Sequence, residues 1–344
     1  MKFSRRTLIS GIAASTAIGA LPNHTAASHN SALADRRFPY VQIDVFTSQR
    51  LAGNQLVVFT DARNLTDSDM LALARETALQ ETTFIFPRDS ATERRDGINV
   101  RIFSPTGELP FAGHPTLGTA NVLRLQDPSH PATVVLDLKA GKIPVAFRDD
   151  PTGAFGEMTQ LDPVFGKTHD RTQVAPLIGL HPDDLDPDLP IQTVSTGLPF
   201  AIVPIRTLKA LQSLHLDFDK IEAYLKAGAP PSVSDGGPST AAAENAVDFH
   251  YITRDTGDPK VRLRARNIDR IGEDPATGSA SGCTAAWMVL HGVTKPDEQV
   301  RIRQGIEANR PSDLFVRASK TADKIHTVRV GGYAVKIMEG VLLL

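Results

Sequence analysis

The amino-acid sequence predicts an α+β protein built from two similar domains that share one cleft. Three observations predict it. Two heptapeptides, His114-Pro115-Thr116-Leu117-Gly118-Thr119-Ala120 and Asp274-Pro275-Ala276-Thr277-Gly278-Ser279-Ala280, carry one skeleton 160 positions apart (114 to 274). The chain has 344 residues, enough for roughly two domains of about 150 residues each. Short strand-like runs dominate both halves, and in each half a helix begins inside the heptapeptide.

The elements follow in chain order. Residues 1–36 read as an export leader. Met1-Lys2-Phe3-Ser4-Arg5-Arg6 is basic, with paired arginines, and an apolar run extends from Leu8 to about Leu21. Candidate cleavage sites lie near Ala26-Ala27-Ser28 and Ala32-Leu33-Ala34. This pattern predicts twin-arginine export to the periplasm or beyond, with a cytoplasmic location as the alternative. The apolar run is shorter than the roughly 20 residues of a membrane-spanning helix.

The first domain is expected over 37–150. Tyr40–Phe46 and Gln55–Phe59 read as strands joined around Ala52-Gly53-Asn54. Thr66 is an N-cap, with Asp67 and Asp69 in the first turn of a helix reaching about Ala78. Strands follow at Thr82–Phe86 and Asn99–Phe103, a helix from Pro115, and strands near Val134–Leu138 and Ile143–Phe147. A turn at Arg148-Asp149-Asp150-Pro151-Thr152-Gly153 marks the boundary. The second domain, 151–339, repeats the plan. A turn feeds a strand over Val194–Val203, and Lys209–Leu214 and Phe218–Lys226 are helical. Ala229–Asn245 is a Pro/Ser/Gly/Ala-rich loop, and Phe249–Thr253 and Val261–Arg266 are strands. A helix runs from about Pro275 through Leu290. Four strands close the chain: Leu314–Ala318, Thr327–Val330, Ala334–Met338 and Val341–Leu344, the last expected to return to the first domain.

Composition narrows the function. The formal net charge of −2 gives no basic field for nucleic acid or anionic lipid. Only 6% of residues are aromatic, which also argues against a base-stacking surface. The one cysteine, Cys283, excludes an intrachain disulfide, a two-thiol racemase and a cysteine-rich zinc site, and it reads as core packing. The ten histidines form no pair with metal-ligand spacing.

The heptapeptides carry the candidate chemistry. Proline suits the first turn of a helix, because its missing N–H would be unpaired there. Each heptapeptide therefore places His114 or Asp274 at a helix N-terminus. The small residues behind let a ligand or a second backbone approach. Two such ends facing one another would hold a carboxylate and stabilise an enolate-like state.

The wider run Arg101–Thr116, ending Phe111-Ala112-Gly113-His114-Pro115-Thr116, resembles the PhzF-like family named for phenazine biosynthesis. So do Asp44-Val45-Phe46-Thr47 with Gly53-Asn54, Leu79-Gln80-Glu81-Thr82-Thr83-Phe84, Glu273–Ala280, and Gln304-Gly305-Ile306-Glu307 with Arg310-Pro311-Ser312. The similarity runs from about residue 38 to the C-terminus. It implies two diaminopimelate epimerase-like domains, each a curved, mostly antiparallel sheet around a central helix, with the active site between them. It implies Glu81 as the proton-transferring residue, with His114, Asp274 and Ser279 as its active-site companions. Asn54, Gly113 and Gly278 are the expected substrate-binding positions. One carboxyl group that takes a proton from one carbon and returns it to another isomerises without redox change, cofactor or metal. The substrate class is a small carboxylate-bearing metabolite. The resemblance, and nothing in the residues themselves, points to a homodimer.

One stretch departs from the pattern. Arg266-Asn267-Ile268-Asp269-Arg270-Ile271-Gly272 stands where the family repeats an Arg-x-Phe-x-Pro-like run, and it reads as shorter and without Phe or Pro. Two other readings stay open: an exported binding protein that kept the cleft but lost turnover, and an epimerase on a related substrate.

Overall fold

The computed structural model describes residues 36–227 and 248–344. The leader up to residue 35 and the loop expected at 229–245 lie outside the described residues. Among the described residues no helix is long and apolar enough to cross a membrane.

β1 (Arg37–Val45) and β2 (Asn54–Phe59) form an antiparallel pair. The loop between them closes on Gly53, whose φ of +70° favours glycine and whose added Cβ would meet Val45 O at 2.4 Å. α1 (Asp67–Thr77) starts as the sequence predicts: the Thr66 hydroxyl accepts from Asp69 N, and the Asp69 carboxylate accepts from Thr66 N. β3 (Thr82–Phe86) runs parallel to β2. α2 (Ser90–Asp96), capped by Asp89, precedes the hairpin of β4 (Ile98–Ser104) and β5 (Gly107–Leu109). α3 (Gly113–Gln126) follows, then β6 (Thr133–Leu138) and β7 (Gly141–Asp150).

The turn at 151–152 leads into β8 (Gly153–Thr159), which pairs back on β7. Then come β9 (Val164–His169), α4 (Arg171–Leu177), β10 (Ile191–Ser195), β11 (Pro199–Ile205), α5 (Leu208–Gln212) and α6 (Phe218–Ala227). β12 (Asp248–Thr253) lies parallel to β11, and β13 (Leu263–Asp269) and β14 (Gly272–Asp274) form a hairpin. α7 (Gly278–Leu290) precedes β15 (Val300–Gln304), β16 (Ser312–Thr321), β17 (Lys324–Gly332) and β18 (Ala334–Leu343). β17 pairs with β8. The two closing strands expected from 334 onward are one, because Gly340 stays in the ladder opposite Tyr40 and β18 pairs with β1 from Ala334 to Leu343, apart from a bulge at Ile337.

α3 and α7 are the central helices of two similar, mostly antiparallel halves. In α7 every residue from Gly278 to Val289 is buried, and α3 is buried from Gly113 to Val122. Helices without a polar face need cover on all sides, and curved sheets supply it. α3 packs on β1, β2, β6 and β8, and α7 on β10, β11, β16 and β17. Cys283 is buried, its thiol donating to Leu198 O at 3.4 Å, as core packing requires.

The internal repeat has a different register from the heptapeptides. Arg101 pairs with Phe84 across β3–β4, and its guanidinium donates twice to Glu108. Arg266 pairs with Tyr251 across β12–β13 and donates twice to Glu273. Gly113 opens α3 and Gly278 opens α7. Each of these pairs (101/266, 108/273, 113/278) is separated by 165 positions. His114 therefore corresponds to Ser279, and Asp274 to Leu109. The 266–272 stretch is not shorter, since both hairpins turn through two residues and reach the helix at the same count. The His-Pro/Asp-Pro match misleads because His114 lies inside α3, whereas Asp274 ends β14, three residues before the Thr277 cap.

Candidate active site

The N-termini of α3 and α7 meet. A Cβ added at Gly113 would lie 2.5 Å from Ser279 N and 2.6 Å from Gly278 Cα, so only hydrogen fits there. Beside this contact opens a cavity of about 240 Å³. Glu81, Gly113, His114, Asp274, Gly278 and Ser279 all line it, together with Asp248, Asn267, Asp269 and Thr277. Six of the seven residues expected from the sequence thus line one cavity. Asn54, the seventh, stands behind them as a link.

Asn54 Nδ2 lies 2.6 Å from Asp274 Oδ1, 3.0 Å from Ala276 O and 3.1 Å from His114 Nδ1. Its two hydrogens serve the two shorter contacts. His114 also hydrogen-bonds the Gln55 backbone, in the sense that favours the charged ring. Burial outweighs that bond and holds His114 down to about 3, so the ring is neutral at working pH. Nε2 has no hydrogen-bond partner and faces Glu81 Oε2 at 3.5 Å.

Glu81 stands just ahead of β3, with 19% of its side chain exposed. Desolvation, with repulsion from Asp274 and Asp269, pushes its carboxyl up to about 8. Asp274 is raised to about 6 by burial, against hydrogen bonds that stabilise its charge. One of these is Thr277 Oγ1, donating to Asp274 Oδ2 at 2.7 Å. Gln304 fixes this corner by donating to Asp274 O at 2.8 Å and to Thr277 Oγ1 at 2.9 Å. Arg310 fixes the opposite one. It donates to Asp44 Oδ1 at 2.6 Å, Gly53 O at 2.7 Å and Ala52 O at 2.8 Å, holding the turn that presents Asn54. The late motif of the sequence is therefore a clamp on two walls of the site.

Sequence reasoning missed Asp248, Asn267 and Asp269. Burial raises Asp269 and pushes Asp248 up to about 7. A signal was available: Glu81-Thr82-Thr83-Phe84 and Asp248-Phe249-His250-Tyr251 share an acid three residues before an aromatic one on a strand. Among the described residues lining the cavity none is Lys or Arg, and no group of three or more potential ligands could hold a metal ion.

The sequence profile described as phenazine biosynthesis-like protein (PhzC-PhzF) matches residues 43–340. The trans-2,3-dihydro-3-hydroxyanthranilate isomerase of Pseudomonas chlororaphis is 32% identical over 89% of this chain and 99% of its own length. An uncharacterized isomerase of Mesorhizobium japonicum is also 32% identical, over 89% of this chain and 98% of its own. Among solved structures, a PhzF-family protein of Bacillus anthracis superposes with a TM-score of 0.75 at 26% identity, covering 90% of this chain and 100% of its own. A Pseudomonas aeruginosa protein described as a predicted epimerase gives 0.73 at 32% identity, covering 89% and 99%.

Proposed function

The chain belongs to the phenazine biosynthesis-like protein family and is an isomerase of a small metabolite; on that premise we propose that it works by proton transfer through Glu81 on a carboxylate-bearing substrate. The observation that carries this reading is the Glu81 carboxyl, pushed up to about 8 and set against a neutral His114 in the cavity between two helix N-termini. A carboxylate of ordinary basicity is a weak base toward carbon, and desolvation strengthens it. With no basic side chain in the wall, the substrate carboxylate falls to the backbone N–H groups at the starts of α3 and α7. The Asp cluster opposite suits an amino group on the same molecule. His114 and Asp274 orient the substrate, and Ser279 Oγ reaches it from the α7 end.

The first substrate to try is trans-2,3-dihydro-3-hydroxyanthranilate, on which the Pseudomonas relative is named to act. In deuterated water, NMR should show solvent deuterium entering the product. Glu81→Gln should lower conversion about 1,000-fold, within the usual range for loss of a general base, while the thermal melt stays cooperative. Undiminished conversion by Glu81→Gln would remove the assignment.

A further inference from the structure

We propose that Asp248 is a second proton carrier of this cavity, the internally duplicated counterpart of Glu81. The two residues occupy the same place in the two halves. Phe84 pairs with Arg101, and Tyr251 with Arg266, the arginines that clamp Glu108 and Glu273. Glu81 lies three residues before Phe84, and Asp248 three before Tyr251. Each strand also runs parallel to the strand before it in its half, β3 to β2 and β12 to β11. Both residues line the one cavity at the meeting point of α3 and α7. The nine-tenths-buried His114 ring, its Nε2 unpartnered, lines the same cavity and marks it as built for a polar guest.

The groups around Asp248 fit a proton-bearing acid. Burial outweighs two hydrogen bonds that favour its charged form, one from Phe249 N to its Oδ1 at 2.7 Å and one from the Asn267 side chain. Asp269 on β13 and Asp274 on β14 repel its charge, and Tyr251 on its own strand senses that charge. Asp269 and Asp274 also repel charge on Glu81. Ionising one carboxyl in such a group therefore favours a proton on another.

The inference rests on the reading of Glu81 as the proton-abstracting base. Ionised Glu81 takes a proton from a substrate C–H. The electron pair left behind enters the adjoining unsaturated system. Protonated Asp248 then gives its proton to that system at a second carbon, or at the other side of the first. The substrate gains and loses one proton. The enzyme ends with Glu81 protonated and Asp248 ionised, and exchange with water resets both. One carboxyl acting alone returns a proton, after exchange with water, only to the positions and the face that it reaches, so the second makes a wider set of isomerisations accessible.

The test uses the full protein, trans-2,3-dihydro-3-hydroxyanthranilate in deuterated water, and the variants Asp248→Asn, Asp248→Glu and Glu81→Gln. With Asp248→Asn, deuterium still exchanges at the carbon that Glu81 deprotonates, while conversion falls about 100-fold. Asp248→Glu restores part of the conversion. In the wild type the pH–rate profile is a bell between about 7 and 8, because turnover needs Glu81 ionised and Asp248 protonated, the less populated of the two singly protonated forms. Asp248→Asn leaves only the rise. Wild-type conversion and an unchanged bell in Asp248→Asn overturn the inference and leave Glu81 standing. So does joint loss of exchange and conversion that Asp248→Glu does not repair. Conversion surviving in Glu81→Gln, or a wild-type protein inert toward this acid, removes the Glu81 reading and this inference with it.

Discussion

At the second position of α3 stands His114, and at the second position of α7 stands Ser279. On the strands beside them, Thr83 shares a buried 2.8 Å hydrogen bond with Thr119. Its counterpart His250 is buried with neither ring nitrogen bonded. Ser104 ends β4, whereas Asp269 ends β13 and enters the cavity. The backbone devices, by contrast, are the same: the Arg–Glu clamp across each hairpin, the glycine at each helix start, and an acid three residues before an aromatic one on β3 and on β12. A duplicated framework keeps what fixes backbone geometry and lets side chains at the cavity diverge. An unsymmetrical substrate demands that division, because its two ends need different partners.

The largest test of this comparison is the tie that runs one way, from the loop after β15 onto the turn after β1. Arg310→Ala leaves Asp44, 2% exposed, without its cation. Breaking one partner of such a buried pair costs about 3–5 kcal/mol. Chemical denaturation should show that loss, and conversion should fall as Asn54 loses its support. A change below about 1 kcal/mol would mean that the turn holds itself.

The helix contact gives a smaller and more pointed asymmetry. A Cβ at Gly113 meets backbone at 2.5 Å, whereas one at Gly278 first meets Gly113 Cα and the Phe46 ring at 3.1 Å. Gly113→Ala should cost about 1–3 kcal/mol of overpacking, and Gly278→Ala less. Equal losses in denaturant midpoint would contradict the geometry at the junction.

The smallest effect concerns His250. Burial holds its folded pKa down to about 3, below the ordinary value of 6.5. The unfolded chain therefore binds a proton between these values and the folded one does not, so stability from this group is lost as pH falls from 6.5 toward 3. Glu81 acts oppositely: raised from 4.5 to about 8, it contributes stability at low pH that is lost as pH rises through 8. His250→Leu should raise the melting temperature more at pH 5 than at pH 8. The same gain at both would show that proton linkage at His250 is absent.

Much of the frame was legible in the chain. α1 announced itself through Thr66 and Asp69, because a capping box is a local device read from four residues. β3 matches its expected span, and Glu81, His114, Asp274 and Ser279 all reach one cavity. α4 and β8 to β10 escaped notice, since short elements that gain their order from packing carry weak local patterns. The start of α7 was misplaced by three residues because Pro275 looked like a first-turn proline, whereas Asp274 still belongs to the β13–β14 hairpin.

The sequence by itself determined the longer strands and helices of each half, the small residues at the two central helix starts and the inventory of acids, all of which depend on near neighbours along the chain. Only the tertiary structure decided the true register of the repeat. Strand pairing within each half gives Arg101 and Arg266 one role, and with them Glu81 and Asp248. It also decided the chemistry of the acids. A carboxyl shifts toward 7 or 8 only when distant segments remove its water and bring other charges close.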